Sequence, residues 1–429
     1  MTKFLIAPKL RRQAKPRRAL RPLAGTPIAT ATNGFTVGLE EELFLADAHT
    51  FAAPSHVPEA FFARVAEATG DRAKPEFLQA QVELVSGIHC DLQEARREMA
   101  ELRETVSEVA AEHGLVIIAA GTHPTADWRR AEQTDAPRYD QVMDQLQMIG
   151  RRDMMSGLHV HVALPDPGRR VEVMARMVPY VPLFLALSTS SPFWSGIRTG
   201  LKGYRLAAYS ELPRTGLPMP FADETEYRTY VDAMTRAGAI PNATYLWWTL
   251  RPSESHPTLE LRAPDSCTRL DDAIAIAALY RVLARRLYTC APRADVTPTL
   301  ASAFAAENMW RAQRYGVQTS FVTVDGAEPV GAFLERVLHE TAEDAEILGC
   351  RDEVELCRTI VTEGTSADAQ LATYERHAET GGHRDALRAV ARFLAEETRN
   401  GHRADIDSLP AVASGSIRPH TSVPGRDWS

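Results

Sequence analysis

The chain has 429 residues, room for one large domain or two ordinary ones, and its 45% hydrophobic and 24% charged residues are the balance of a soluble globular protein. Its formal charge is −8, yet no acid precedes Glu40, while Lys3, Lys9, Arg11, Arg12, Lys15, Arg17, Arg18 and Arg21 do. The rest therefore carries 40 basic against 56 acidic residues, about −16, which excludes nucleic acid as the main partner because polyphosphate affinity needs a basic surface.

Residues 1–33 read as a disordered basic leader. Their only apolar run, Phe4-Leu5-Ile6-Ala7, is too short for a secretory signal and is followed by basic residues. Val37-Gly38-Leu39-Glu40-Glu41-Glu42-Leu43-Phe44-Leu45 comes next. As a strand it puts Glu40 and Glu42 on one face with Gly38, and Leu39, Glu41 and Leu43 on the other. Solvent exposure explains two carboxylates on one face; so does a cation between them, because burying them unpaired costs several kcal/mol, on the order of 3 or more. Glu41 on the opposite face is a matter of packing or surface.

Pro58 to Thr69 has helical spacing and ends at Gly70. Glu76 to Val85 alternates as a half-buried strand, with Leu78, Ala80, Val82 and Leu84 facing one way and Gln79, Gln81 and Glu83 the other. Glu76 has the opposite parity to Glu83, so the two converge only if Glu76 lies in the turn before the strand. Asp91 to His113 is an amphipathic helix capped by Asp91, with Gly114 past its end. Leu115 to Ala120 is a fully apolar strand, and Pro137 to Gly150 is another helix.

Met154 to Leu164 alternates cleanly and projects His159 and His161 from one face. Glu172 to Ser190 is helical with interrupting prolines. Its most apolar part, Val178 to Leu187, is too short to span a bilayer. Residues 191–220 have no period and carry Arg198, Lys202, Arg205 and Arg214. After a helix at Glu224 to Ala237, strands at Tyr245 to Arg251 and Thr258 to Arg262 form a hairpin, the second placing Glu260 and Arg262 on one face. Asp271 to Cys290 is an amphipathic helix, and the remainder is helical to about Asn400, with a flexible tail from residue 403. Residues 34–402 read as a single catalytic domain. Alternating polar faces favour a mainly antiparallel α+β sheet with one polar concave face and helices on the other, because parallel strands read as continuous apolar runs. The five scattered cysteines show no CxxC, which favours reduced thiols in a cytoplasmic setting without structural zinc.

Same-face pairs on separate strands, Glu40/Glu42, Gln81/Glu83, His159/His161 and Glu260/Arg262, combine carboxylates and imidazole without thiolate. That donor set suits Mg²⁺ or Mn²⁺, and the number of acids suggests more than one ion. Metals facing arginine suit nucleotide phosphates. Neither GxxxxGK[ST] nor GxGxxG is present, so any ATP site lies on the sheet surface.

These segments resemble the carboxylate-amine ligases of the glutamate–cysteine ligase type 2 family. The matching blocks are Val37 to Glu42, Glu76 with Glu83-Leu84-Val85-Ser86-Gly87, and Gly157-Leu158-His159-Val160-His161-Val162. They continue through Ser191-Pro192-Phe193-Trp194, Ser210 to Gly216, and Thr258-Leu259-Glu260-Leu261-Arg262. Glu363 to Gln370 looks like the family's C-terminal loop, with Ala369 where the family commonly has arginine. The resemblance implies a glutamine-synthetase-like fold and an ATP-dependent ligase that forms an amide through an acyl phosphate, from L-glutamate with L-cysteine or another amine. It implies Glu40, Glu42, Glu76, Glu83, His159 and Glu260 as metal ligands, with His161 as a further candidate, and Arg262 on the transferring phosphate. Lys202, Arg205, Arg214 and Arg251 would be near the nucleotide or the substrate carboxylate, in a homodimer. Two other readings compete: a metal-dependent amide hydrolase, since His-x-His with carboxylates also activates water, and a nucleotide-binding regulator without turnover.

Overall fold

The computed structural model describes residues 34–291 and 297–400, so the basic leader and the tail from residue 403 lie outside the described residues. Seven strands form one sheet: β1 (Val37–Asp47), β2 (Ala73–Pro75), β3 (Gln81–Val85), β4 (Leu115–Ile118), β5 (Leu158–Ala163), β6 (Leu250–Pro252) and β7 (Thr258–Leu261). Their order is β2-β3-β1-β5-β7-β6, with β4 also on β1, and every pairing is antiparallel. This is the expected α+β class, an antiparallel sheet with helices packed on one face. β1 is central because its length serves three partners: residues 40–44 pair with β3, residues 37–41 with β5 and residues 44–47 with β4.

The parity of β1 divides the molecule. Val37, Leu39, Leu43 and Leu45 are buried in the main core with Val82 and Leu84 of β3 and Val160 and Val162 of β5. The helices Leu92–Glu112, Leu270–Thr289 and Arg351–Glu363 contribute to that same core. Gly38, Glu40 and Glu42 take the other face and are half-buried. Asp91 caps the Leu92–Glu112 helix by accepting from the Gln93 N–H at 2.8 Å, as its position predicts. The apolar run at β4 is antiparallel to β1 after all. It reads as continuous because Leu115 and Ile117 enter the main core while Ile118 packs under the C-terminal helix with Val390 and Leu394.

Several sequence expectations are corrected. The Leu270–Thr289 helix is not amphipathic but buried nearly all round, since Ala273, Ala275, Ala277, Ala278 and Ala284 let neighbours close on every side. Its fully buried Arg281 donates to the carbonyls of Phe35 (2.7 Å) and Cys90 (2.8 Å). The 137–150 helix is two helices, Pro137–Leu146 and Met148–Arg151, broken at Gln147 with φ 52°. β3 begins only at Gln81. The apolar period of Leu78 and Ala80 reflects burial in a satellite cluster around Phe77, not strand pairing.

The C-terminal third contains a hairpin, Ser320–Thr323 with Gly326–Pro329, where helix was expected. Its Val324-Asp325 turn, followed by Gly326 with φ 118° as the first residue of the second strand, is a local signal that helical periodicity on both sides obscures. Residues 191–220 hold a two-residue hairpin, Phe193–Trp194 with Ile197–Arg198, and the helix Tyr204–Tyr209. Among the described residues one stretch, Pro167–Ser188, is long and apolar enough to cross a bilayer, but every side chain of its Val181–Ser188 helix is buried in the core.

Candidate active site

Strand register assembles the site. Across neighbouring strands Glu42 lies opposite Glu83, Glu40 opposite His159, His161 opposite Glu260, and Glu260 opposite Arg251. These side chains share the sheet face away from the helical core and line a cavity of about 350 Å³, the size of a small-molecule site. Glu76 joins them from the turn before β3, which its N–H closes onto the Gln81 carbonyl at 3.3 Å. That turn is the condition parity set for Glu76 and Glu83 to converge.

Two halves of the cavity differ in how their charge is satisfied. On the β7 side, Arg251 grips Glu260 through Nη2 at 2.7 Å and Nε at 3.2 Å, and Arg262 pairs with its other oxygen. Burial alone would raise the Glu260 carboxyl; Arg251 and Arg262 outweigh it and hold the group well below the usual carboxylate range. On the β1–β3 side the acids outnumber their partners. Burial pushes Glu42 up to about 7, against Arg205, Arg262 and the Gly157 N–H, which Glu42 accepts at 2.6 Å. Burial, then Glu83 and Glu42, raise Glu76 well above its ordinary value. Burial and Glu40 raise Glu83, although Lys74 sits 2.6 Å from it.

Between the halves lie the two histidines. His159 Nδ1 is 3.4 Å from Glu40 and its Nε2 is 3.8 Å from Glu42; His161 Nε2 is 3.6 Å from Glu40 and 3.9 Å from Glu260. Burial against the cationic form, with Arg262 nearby, lowers His159 to about 4, so it is a neutral imidazole with a lone pair to offer. For His161 burial opposes protonation, but Glu260 and Glu40 raise its pKa. Its Nδ1 meets the Thr258 hydroxyl at 3.0 Å, which leaves Nε2 toward the carboxylates. Both Nε2 atoms are buried without a hydrogen-bond partner among the described residues. Donor atoms of Glu40, His161 and Glu260 all lie within 4.8 Å of one another. Orphaned imidazole nitrogens beside carboxylates with no thiolate fit a hard divalent cation.

Arg262 is tied to Glu260 and to the Tyr209 hydroxyl, with its Nε buried and unpartnered among the described residues. Arg205 is 3% exposed and lies beneath this group, donating through Nη1 to the carbonyls of Arg262 (3.3 Å) and Pro264 (3.1 Å). Gly157 makes that possible, since a Cβ there would sit 2.1 Å from Arg205 Nη2.

Two of the expected basic residues do not line the cavity. Lys202 pairs with Asp368 and Gln318, and Arg214 stacks over Trp247 at 5.1 Å and donates to the Tyr245 carbonyl. The expected 363–370 loop is mostly helical: only Gly364 and Thr365 separate the Arg351–Glu363 helix from the helix that starts at Ser366, and this junction lies on the same side as Lys202. Thr365 meets Thr189 at 2.8 Å and Gln370 donates to the Ser190 carbonyl at 2.8 Å, while Ala369 makes no side-chain polar contact. Lys74, Arg138, Asp153, Tyr209 and His256 line the cavity without having been picked out by the sequence. Burial raises Asp153 to about 6, against Arg205 and Arg262. His256 stands edge-on to His161 with ring centroids 6.1 Å apart.

Comparison with known proteins agrees with this architecture. Residues 36–389 match the model of glutamate–cysteine ligase family 2. A relative from Bradyrhizobium sp. (strain ORS 278), provisionally named glutamate–cysteine ligase 2, is 50% identical over 86% of this chain and 91% of its own. One of the same provisional name from Rhodospirillum rubrum is 43% identical over 85% and 95%. Two solved structures share the fold at low identity. Glutamate–cysteine ligase from Francisella tularensis in complex with AMP has a TM-score of 0.63 at 12% identity, over 85% of this chain and 89% of that one. The bifunctional glutathione synthetase from Pasteurella multocida has a TM-score of 0.65 at 17% identity. The match covers 86% of this chain but only 53% of that one, about half its length. The chain belongs to glutamate–cysteine ligase family 2, a family of carboxylate-amine ligases.

Proposed function

We propose that the protein uses ATP to join a carboxylic acid to an amine through an acyl phosphate, with L-glutamate as the acid and L-cysteine as one amine. The observation that carries this is the division of one sheet face into an acid-rich half and an arginine half within a single cavity. Glu40, Glu42, Glu76, Glu83, His159 and Glu260, with His161, are the residues that would hold Mg²⁺ or Mn²⁺, and more than one ion. Such ions supply neutralisation of phosphate oxygens.

The chain's own residues do the rest by placement and charge. Arg262 faces the charge that spreads over the transferring phosphoryl group, and Glu260, with Arg251, fixes the orientation of Arg262. Arg205 holds the backbone that carries Arg262. The substrate carboxylate oxygen forms a bond to the γ-phosphorus as the bond to ADP breaks. The amine nitrogen then attacks the acyl carbon and inorganic phosphate leaves. No enzyme nucleophile is required, so positioning accounts for the acceleration. Lys202 and Arg214, outside the cavity lining, would contribute only at its periphery.

One observation favours the hydrolase reading: His256 brings a third imidazole beside His161. A single assay separates the two. ADP release from Mg-ATP that depends on glutamate supports the ligase; amide hydrolysis without ATP supports the hydrolase. Mass measurement in solution tests the homodimer that the family resemblance implies.

A further inference from the structure

The cavity's cations are unequally committed. Arg251 and Arg262 both serve Glu260, Arg205 donates to backbone carbonyls beneath Glu42, and Arg138 lines the cavity without an ion pair to these acids among the described residues. The acid-rich half, Glu40, Glu42, Glu76 and Glu83, has one ammonium, Lys74, placed directly opposite Glu83 by the β2–β3 register. Its Nζ lies 2.6 Å from the Glu83 carboxylate. The two partners differ in freedom. The Glu83 side chain is 10% exposed on a paired strand, whereas that of Lys74 is 52% exposed on a three-residue strand at the edge of the sheet.

An ammonium and a divalent cation on the same carboxylate repel each other, strongly so at about 4 Å in a partly buried site, so a cation bound at Glu83 disfavours the paired position of Lys74. We infer that Lys74 is an exchangeable counter-ion: it holds Glu83 in the metal-free protein, gives that carboxylate up to a divalent cation, and then serves the anionic group that arrives with the cation. This rests on the reading of Glu83 as a metal ligand under Proposed function. Exchange at Lys74 couples two binding events. Cation and polyphosphate each favour the released position of Lys74, so each strengthens the other's binding, and by linkage the factor is the same in both directions.

The test measures binding alone. Mn²⁺ is titrated into chelator-treated full-length protein by calorimetry, with and without a non-hydrolysable ATP analogue, for the wild type, Lys74→Met, Lys74→Arg, Glu83→Gln and the Lys74→Met/Glu83→Gln double variant. Without nucleotide, Lys74→Met should bind Mn²⁺ about tenfold more tightly than wild type, and the enhancement by nucleotide should shrink by a similar factor, within the range usual for coupled sites. Lys74→Arg should resemble wild type. With Glu83 changed to Gln, removing Lys74 should no longer raise Mn²⁺ affinity, which guards against a general effect on the fold. Equal or weaker Mn²⁺ binding by Lys74→Met, with wild-type binding intact, overturns the exchange. Absence of Mn²⁺ binding in the wild type itself overturns the metal reading beneath it.

Discussion

Two neighbouring carboxylates on β1, Glu40 and Glu41, are the same residue type one position apart and have opposite fates. Glu41 is fully buried against the helical layer, and Arg103 from the Leu92–Glu112 helix meets both of its oxygens, at 2.8 and 2.9 Å. The remaining N–H groups of that arginine go to the carbonyls of Cys267 (2.8 Å) and Thr268 (3.0 Å). Every charge is satisfied inside the protein, so the site has nothing left to offer a ligand. Glu40 faces histidine nitrogens at 3.4 and 3.6 Å, beside Glu42, Glu76 and Glu83, which burial raises. A buried acid paired inside the core, away from any cavity, is structural; one that lines a cavity beside surplus acids is placed where a cation could reach it.

The largest expected effect breaks the closed side of this comparison. Arg103→Met strands the Glu41 carboxylate in the core and should cost about 3–5 kcal/mol of stability in urea unfolding. Loss of less than about 1 kcal/mol would show that Glu41 has another partner.

On the open side the expectation reverses. Glu40→Gln, Glu83→Gln and Glu260→Gln should each lower glutamate-dependent ADP release by about 100-fold or more, roughly 2.7 kcal/mol of barrier. Their circular dichroism should match wild type. Full activity at limiting Mg²⁺ in any of them would remove that residue from the metal assignment.

Glu42 allows the same comparison through pH. With its carboxyl at about 7 in the folded protein against 4.5 ordinarily, the folded state holds an extra proton between these values. Stability contributed by this group therefore falls as pH rises through that window, by at most about 1.4 kcal/mol per unit. His159, lowered to about 4, has a slope of the opposite sign between about 4 and its ordinary 6.5, so wild type alone would show little. The difference between Glu42→Gln and wild type isolates Glu42. In chelator-treated protein the variant should gain on the order of 1–2 kcal/mol on going from pH 5 to pH 8. Saturating Mg²⁺ should erase the gain, because the ion stabilises only the carboxylate form. A pH-independent difference would mean that Glu42 is already neutralised within the protein.

Much of the open face was legible because side-chain parity is a local property of a strand. The alternation at Glu40/Glu42, His159/His161 and Glu260/Arg262 survives folding, and register then brings the pairs side by side. Lys74, Tyr209 and Asp153 were hidden for the converse reason. They come from a three-residue strand, a short helix in an aperiodic stretch, and a turn, none long enough to show a period. The partner of Glu41 did leave a trace. Arg103 falls on the apolar stripe of its helix, four residues after Met99 and three before Val106, where a charge must find a buried counter-charge. Which acid it meets depends on how that helix lies across the sheet, and helical spacing carries no record of that.

The smallest expected effect concerns how finely the open side is set. The Thr258 hydroxyl, 3.0 Å from His161 Nδ1, is the contact that fixes the imidazole with Nε2 toward Glu40 and Glu260. Thr258→Val keeps the shape and the β-branch of this strand residue but removes the hydroxyl, so the ring loses its orienting partner while the β5–β7 pairing, made by backbone groups, stays. Removing such a partner typically weakens metal affinity by about 10-fold, near 1.4 kcal/mol. Calorimetric titration with Mn²⁺ should show that loss at neutral pH, with urea stability within about 1 kcal/mol of wild type. Thr258→Ser, which restores the hydroxyl, should recover most of the affinity. If Thr258→Val binds Mn²⁺ as wild type does, His161 is not a ligand, and the open side of the comparison contracts to the carboxylates and His159.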